Sequence, residues 1–301
     1  HSRQHRLAAY SRACMGKLAH ALQLDFERTS GVTVVSRSAA DSQRMLSALA
    51  VLDQIGVRYR RLSAHECRSL EPGLNPSAAL HAALIKQHAQ RQGARFNFNA
   101  QVLAIQPGAR PELTVASGAD RLRESFNAVV LCNGLAASRL LAPLGVHLPL
   151  IGVCGASVTA TLRQDDRQPH HGPTSVLLDP RRGVSIVRAG NRLRGSGGYR
   201  IGNMSPAQEA SALKSLYQAL DEWFPGAART AQAQQWQGAS PTLPDGLPVL
   251  GRSGLEGVWL NLGHGSVGWT MSCGSARVLS ALISGTPPEI DVDGFGISRF
   301  R

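Results

Sequence analysis

The sequence lacks the hallmarks of several large protein classes. No apolar run approaches the roughly 18 residues that a membrane-spanning helix needs, and no charged-then-apolar signal peptide opens the chain. The 5 cysteines are widely spaced without a CxxC pair, so neither a zinc site nor a disulfide framework is predicted, which fits a reducing cytosol. Aromatic residues make up only 5% of the chain and no basic stripe is interleaved with them, which argues against nucleic-acid binding.

Acidic residues are also scarce. The chain carries 32 lysines and arginines against 20 aspartates and glutamates, for a net charge of +12. Most arginines stand singly, which predicts an arginine-rich solvated surface, and attraction to acidic lipid headgroups is the alternative. We therefore expect a cytoplasmic protein, with peripheral contact at the inner face of the cell membrane as an open alternative.

Two junctions share one pattern, in which an apolar strand leads through glycine into a helix. The first runs from Phe126–Cys132 through Gly134 into a short helix at Ala136–Leu141, and the second runs from Val258–Leu262 through a glycine-rich stretch. Glycine lets backbone N–H groups approach a ligand that a Cβ would hold away, and a helix N-terminus favours negative charge. Because both strands end alike, we predict that they are parallel neighbours in one sheet, with Gly134 and Gly263 at the same edge.

Two longer strings in the same region resemble a known family. Trp236–Gly251 reads WQGASPTLPDGLPVLG, and Leu260–Ser275 reads LNLGHGSVGWTMSCGS. Both resemble the C-terminal signature of the D-amino-acid dehydrogenases, which are FAD enzymes of the D-amino-acid oxidase family. The resemblance implies an FAD-dependent oxidoreductase that converts D-amino acids to 2-oxo acids and ammonia by oxidative deamination, with an electron acceptor that the sequence does not identify.

The same resemblance assigns residues to the FAD site. The stretch that closes over the flavin consists of Gly263, His264, Gly265, Ser266, Val267, Gly268, Trp269 and Thr270, and Cys132 and Gly134 approach the flavin from the other side. Val102 matches the residue beside the adenine, with an ordinary core position as the alternative. No catalytic residue is assigned, because the flavin itself carries the redox chemistry. A structural role is expected for His264, with proton transfer as the alternative.

The implied fold is of the α/β class, with an incomplete Rossmann-like FAD-binding sheet interleaved with a mixed-sheet substrate domain. Residues 84–147 and 241–301 are expected to form the FAD-binding domain, and residues 1–83 and 148–240 the substrate domain. The GxGxxG turn that carries the FAD pyrophosphate in this family does not occur early in the sequence. We therefore expect either a chain that is incomplete at its N-terminus or a partner chain that completes the sheet.

The expected substrate site departs from the family. Ser240 stands where the family has an arginine that holds the substrate carboxylate, Arg200 stands where a glutamate is common, and Ala156 replaces a tyrosine. A neutral serine supplies no positive charge, so we predict weak carboxylate binding unless Arg200 replaces the missing guanidinium. A non-catalytic remnant or an accessory subunit of this fold is therefore the alternative to an active enzyme.

Three other features have simpler interpretations than a functional site. The pair His170 and His171 lacks a third ligand, so a solvated loop is favoured and no metal site is predicted. Asp245 precedes Gly246 and is interpreted as a turn former rather than a base. The glycine string within Arg194–Tyr199 is interpreted as a tight turn or a glycine-rich strand rather than a phosphate loop.

Overall fold

The computed structural model describes residues 2–23, 32–34, 89–118, 120–163 and 172–300. The chain divides into two units, the first made of residues 1–24, 85–153 and 240–301 and the second of residues 25–84 and 154–239. This division differs from the expected domains at the start of the chain, because residues 1–24 cluster with the first unit. The assignment of the units to FAD and to substrate remains a prediction.

The elements are numbered along the described residues. In chain order they are α1 (Ser2–Ala21), β1 (Val32–Val34), β2 (Ala100–Gln106), β3 (Glu112–Ser117), β4 (Asp120–Ser125), β5 (Val129–Leu131), α2 (Ala137–Leu141), β6 (Ile151–Leu162), β7 (Val176–Asp179), β8 (Val184–Ala189), β9 (Arg192–Ile201), α3 (Pro206–Trp223), β10 (Ala228–Thr242), β11 (Val249–Arg252), β12 (Val258–Leu262) and α4 (Gly268–Ile283). Short 3₁₀ turns lie at Gly134–Ala136, Ala142–Leu144, Gly265–Val267 and Ile297–Phe300.

The first unit contains the predicted pair of parallel strands. Strand β12 lies between β11, to which it is antiparallel, and β5, to which it is parallel. Val258 stands opposite Val129 and Leu260 opposite Leu131, so the predicted neighbours are confirmed. All four side chains are buried in one apolar cluster with Leu262, whereas Val130, which points to the other face of β5, is 38% exposed.

An antiparallel meander, β2-β3-β4, forms a second sheet in the first unit. Phe96, Phe98 and Val102 predict a single strand over 95–105, whereas β2 begins at Ala100 and two further strands follow it. Every residue of β4 is exposed, so this strand lacks the alternation of apolar and polar residues that identifies a strand in a sequence.

Helix α1 packs against α4 in the first unit, and a glycine sets how closely the two helices approach. A Cβ at Gly274 would lie 2.9 Å from Ser11 Cβ and 3.0 Å from Ser11 Cα. The Gly274 amide also donates a hydrogen bond of 3.0 Å to Ser11 Oγ, and the Ser11 side chain is buried. Leu7 and Met271 complete this contact in a small apolar cluster.

The second unit is built on a six-stranded sheet with the strand order β1-β7-β8-β9-β6-β10. Helix α3 covers one face, where Leu216 and Leu220 pack among Val158, Ile186 and Leu193. The residues Ser205–Gln208 predict a helix start, because a capping serine is followed by proline and, three residues after the cap, by glutamine. The structure confirms this start, since Ser205 caps α3 in a capping box with Gln208 and proline stands in its first turn.

The sequence predicts a helix that begins at Ser38 and ends at Gly56, followed by a strand over 57–62, and both lie outside the described residues, as does the pair His170 and His171. Strand β9 settles the interpretation of the glycine string, since Arg194–Tyr199 lies wholly within it. Strand β10, which spans 15 residues, was not predicted. None of the helices in the described ranges is both long and apolar enough to cross a membrane.

The close approach of α1 and α4 generates a stability prediction. We expect Gly274→Ala to lower the free energy of unfolding by about 1–3 kcal/mol, because the added methyl group must push Ser11 away. Gly16→Ala is the matched control. Gly16 lies in the interior of α1 with nothing near the position of its missing Cβ, so alanine there should stabilise the helix by about 0.5–1 kcal/mol.

Urea denaturation of both variants measures the two free energies. Opposite signs are expected for the two substitutions. A Gly274→Ala protein as stable as the unsubstituted chain would contradict the described packing of the two helices.

Candidate functional site

The candidate site lies at the sheet edge where β5 and β12 end. Because the two strands are parallel, their carboxyl ends meet at one edge, where ligands bind in open α/β sheets. The chain turns at Gly134 after β5 and at Gly263 after β12, with φ angles of 61° and 79°. Residues with a Cβ rarely adopt such positive angles, so both turns require glycine for their backbone conformation.

The space beside Gly263 is filled by protein. A Cβ at Gly263 would lie 2.8 Å from Leu243 Cγ and 3.5 Å from Leu150 Cδ2. A Cβ at Gly134 would lie 3.4 Å from Pro241 Cγ. Gly263 is therefore glycine because of its φ angle and of the apolar side chains packed against the position of its missing Cβ, and the approach of its backbone to a ligand stays a prediction.

The stretch after Gly263 presents backbone donors without side-chain caps. Gly265–Val267 forms a 3₁₀ turn that continues directly into α4, and no side chain caps either element. The first N–H groups of a helix lack partners within the helix, and the helix dipole adds a partial positive charge there. This end of α4 is therefore suited to oxygen atoms of an anionic or electron-rich ligand.

His264 anchors the turn to the body of α4. Its Nε2 lies 2.9 Å from Ser275 Oγ, and the Ser275 side chain is fully buried. The His264 backbone also forms a β-bridge with Thr242. Desolvation by burial lowers the pKa of the His264 imidazole to about 4, so the ring is neutral at physiological pH. These contacts agree with a structural role and give no support to proton transfer.

A polar pair at the ends of the two strands completes the edge. Asn261, in the otherwise apolar strand β12, has a buried Oδ1 atom without a hydrogen-bond partner among the described residues. Burial raises the pKa of the Cys132 thiol and outweighs the opposing effect of the neighbouring Asn261 side chain. Asn261 was not among the residues predicted from the sequence, although a lone polar residue in an apolar strand is a usable signal.

The remaining candidates of the first unit have varied environments. Val102 is half-buried and packs against the core cluster, whereas the Trp269 side chain is 52% exposed at the start of α4. Desolvation raises the pKa of Asp245, but hydrogen bonds from Arg299 and from the Leu247 amide outweigh it and hold the pKa below its usual value. The Leu247 amide donates to Asp245 Oδ1 at 3.2 Å, which is the geometry of a turn former.

The three expected substrate residues fall in different surroundings. Ser240 is half-buried near the end of β10, and its carbonyl accepts a hydrogen bond of 3.2 Å from Thr242 Oγ1. Arg200 is exposed near the end of β9. The Ala156 side chain is only 3% exposed and packs in the core beneath α3, so it offers a ligand no side-chain surface.

Within the described ranges, no three His, Cys, Asp or Glu side chains are grouped so that they could hold a metal ion. The family model described as FAD dependent oxidoreductase (DAO) matches residues 1–282.

Two proteins similar to this chain are both named D-amino acid dehydrogenase. A D-amino acid dehydrogenase of Cereibacter sphaeroides is 33% identical to this chain, and the match covers 98% of this chain and 70% of the relative. A D-amino acid dehydrogenase of Bradyrhizobium diazoefficiens is 32% identical, with coverages of 99% and 74%.

Solved structures show the same fold at lower identity. Glycine oxidase from Geobacillus kaustophilus superposes with a TM-score of 0.79 at 22% identity, covering 98% of this chain and 82% of that protein. L-proline dehydrogenase from P. horikoshii superposes with a TM-score of 0.76 at 13% identity, with coverages of 98% and 82%.

The buried neutral imidazole generates a pH prediction. Below about pH 6.5 the unfolded chain binds a proton at His264 that the folded chain does not bind until about pH 4. The free energy of unfolding should therefore fall as the pH decreases through this window, by at most roughly 3 kcal/mol, and the loss should be absent above it.

Substitution isolates this contribution. His264→Gln keeps an amide nitrogen near the position of Nε2 but does not titrate, so the variant should lose less stability than the unsubstituted chain between about pH 7 and pH 4. His147→Gln, at an exposed histidine of the same unit, is the control. Identical pH profiles for the His264 variant and the unsubstituted chain, measured by urea denaturation, would refute the assignment.

Proposed function

Because this chain belongs to the family of FAD-dependent oxidoreductases, we propose that it oxidises D-amino acids to the corresponding oxo acids and ammonia. The observation that carries the proposal is the match of nearly the whole chain to relatives named D-amino acid dehydrogenase. The relatives supply the stereochemistry and the substrate class. The structure supplies an edge with uncapped backbone donors of the kind that an FAD site needs.

The residues at the sheet edge fit the cofactor. The amides at the start of α4 are free of side-chain caps, and the unpartnered Oδ1 of Asn261 is an acceptor that requires a donor. We propose that the backbone of 263–270 and the turn at Gly134 hold FAD, with Cys132 beside them and Val102 near the adenine. When bound, FAD supplies the acceptor for the hydride that leaves the substrate α-carbon.

The chain's own residues then have to bind and orient the substrate. The oxidised product is an imino acid, which water hydrolyses to the oxo acid and ammonia. No acid or base of the protein is needed to carry the hydride, which agrees with a neutral and hydrogen-bonded His264. Ser240 is proposed to face the substrate carboxylate, and Arg200 is the candidate that the sequence offers for the missing charge, while the core position of Ala156 argues against its side chain.

A non-catalytic remnant or accessory subunit is the second candidate. Ser240 favours it, because a serine supplies no charge at the position where the family holds the carboxylate with arginine.

Two further proposals concern the location of the protein and its partner chain. We propose a cytoplasmic protein whose net charge of +12 allows peripheral contact with an acidic membrane face. We further propose that a partner chain pairs with the edge of β5 that faces away from β12.

Anaerobic mixing of the FAD-loaded protein with single D-amino acids tests the reaction. We expect the flavin absorbance to bleach, and the oxo acid and ammonia to appear in equal amounts once an artificial electron acceptor is added. The L-enantiomers serve as the matched control and should react at least about a hundredfold more slowly, since a chiral site misplaces their α-hydrogen. Bound FAD that no D-amino acid reduces would contradict the proposal and favour the remnant.

A further inference from the structure

One face of the second unit's sheet carries a cation and two aromatic rings that no step above uses. Ala156 packs beneath α3, so its neighbours Gly155 and Ser157 point to the opposite face of the sheet. Leu193 is fully buried in the same core, so Arg194 also points to the face opposite α3. This face is called the open face.

Trp236 belongs to the open face as well. On β10, Gln235 Nε2 donates to Tyr217 Oη on α3 at 3.1 Å, and the Gln237 amide contacts Glu209 on the same helix at 2.9 Å. Both glutamines therefore point towards α3. Trp236, which lies between them, points the other way, and its side chain is 60% exposed.

Glycines allow the two rings of the open face to lie flat on the sheet. Tyr199 covers Gly155 so closely that a Cβ there would lie 2.7 and 2.8 Å from two carbons of the ring. The Trp236 ring covers Gly238 in the same manner. Tyr199 is 54% exposed, so each ring presents one side to solvent.

Arg194 is oriented by a buried hydroxyl. Its Nη2 donates a hydrogen bond of 3.2 Å to Ser157 Oγ, and the Ser157 residue is only 3% exposed. Ser157 is two residues from Gly155, which places the guanidinium about 7 Å along the strand from the point that the Tyr199 ring covers. No carboxylate within the described residues forms an ion pair with Arg194.

The two rings cover neighbouring strands, Tyr199 at Gly155 on β6 and Trp236 at Gly238 on β10. The Arg163 amide, at the end of β6, donates to the Ala227 carbonyl, just before β10 begins, at 2.8 Å. Gly155 is eight residues back from this point and Gly238 is eleven residues on, so the covered positions lie about 26 Å and about 36 Å from it, or about 10 Å apart along the strands. Strand β6 separates β9 from β10, which places Tyr199 and Trp236 on strands about 10 Å apart.

We propose that the open face binds the substrate, that Arg194 holds its carboxylate, and that Tyr199 and Trp236 select an aromatic side chain. The proposal rests on the proposed function and names its substrate class as aromatic D-amino acids. A guanidinium held by a buried hydroxyl is oriented for a charge-assisted contact with a carboxylate, and two flat rings offer stacking surfaces to a third. Arg194 then supplies the charge that Ser240 does not.

The arrangement separates Arg194 from Arg200. Gly195 and Gly198 both point towards α3, since their missing Cβ atoms would meet Leu220 and Ala212 respectively. The two glycines are three positions apart, so the alternation shifts by one position within β9, where Gly198 has a φ of 68°. Tyr199 therefore stands on the open face and Arg200 on the face of α3.

Binding of a substrate analogue tests the site without turnover. Hydrocinnamate has the ring and carboxylate of phenylalanine but no amine, and its titration is followed by tryptophan fluorescence and calorimetry. We expect Arg194→Gln to weaken hydrocinnamate binding about tenfold or more and to leave hydrocinnamide unchanged, because the amide carries no charge. Trp236→Ala and Tyr199→Ala should each weaken binding about three- to tenfold through lost stacking.

Arg192→Gln is the matched control, since Arg192 is an exposed arginine on the same strand and face. It should leave hydrocinnamate binding within about twofold of the unsubstituted chain. The substituted side chains are more than half exposed in the case of Tyr199 and Trp236 and exposed in the case of Arg192 and Arg194. Circular dichroism of each variant checks that it folds.

Turnover separates the two proposals. With an active enzyme, Arg194→Gln should raise KM for D-phenylalanine and D-alanine with a smaller change in kcat, whereas Trp236→Ala should raise KM for D-phenylalanine alone. An active enzyme whose KM responds to Arg200→Gln but not to Arg194→Gln would overturn the inference and leave the proposed function intact. Arg194-dependent binding of hydrocinnamate without any oxidation would support the binding site and contradict the proposed function. Hydrocinnamate affinity that is the same in the Arg194→Gln variant and in the unsubstituted chain would overturn the proposed site.

Discussion

The parallel pairing of β5 with β12 is the constraint on which the candidate site depends. These strands are more than 120 positions apart in the sequence, and the pairing Val258 to Val129 and Leu260 to Leu131 brings their ends together. Parallel strands place both carboxyl ends at one edge, so the turns at Gly134 and Gly263 face the same region. A register slip by one residue would turn the buried side chains of β12 to the other face and would move Asn261 away from Cys132.

Sequence patterns predicted the elements whose local chemistry matches their environment. Strand Val258–Leu262 and the capped start of α3 were recognisable because apolar runs and capping boxes are local signals. Strands β4 and β10 were not recognisable, since β4 is exposed throughout and β10 is rich in glutamine and held by its neighbours. The placement of α1 was also beyond local reasoning, because the contact of Ser11 with Gly274 joins residues 263 positions apart.

Glycine had more roles in the structure than the sequence suggested. The glycine-rich stretch predicted a ligand turn, and the positive φ angles at Gly263 and Gly265 agree with a tight turn. At Gly263 the missing Cβ makes room for Leu243, and at Gly274 it makes room for a helix. These glycines therefore lie at a crowded junction, and the features that point to a ligand are the lack of side-chain caps at the start of α4 and the Asn261 Oδ1 atom, which has no partner among the described residues.

The substrate side of the site shows why residue type alone was insufficient. Arg194 and Arg200 are both exposed arginines of one strand, and their spacing of six would place them on the same face of a regular strand. The conformation of Gly198 shifts the alternation, so the two guanidinium groups leave the sheet on opposite sides. Sequence reasoning selected Arg200 because it differs from the family pattern. The packing of Gly195 and Gly198 against α3 instead leaves Arg194 on the face that carries the Tyr199 and Trp236 rings. In the proposed site, Arg194 pairs with the carboxylate of an aromatic ligand whose ring stacks on these side chains.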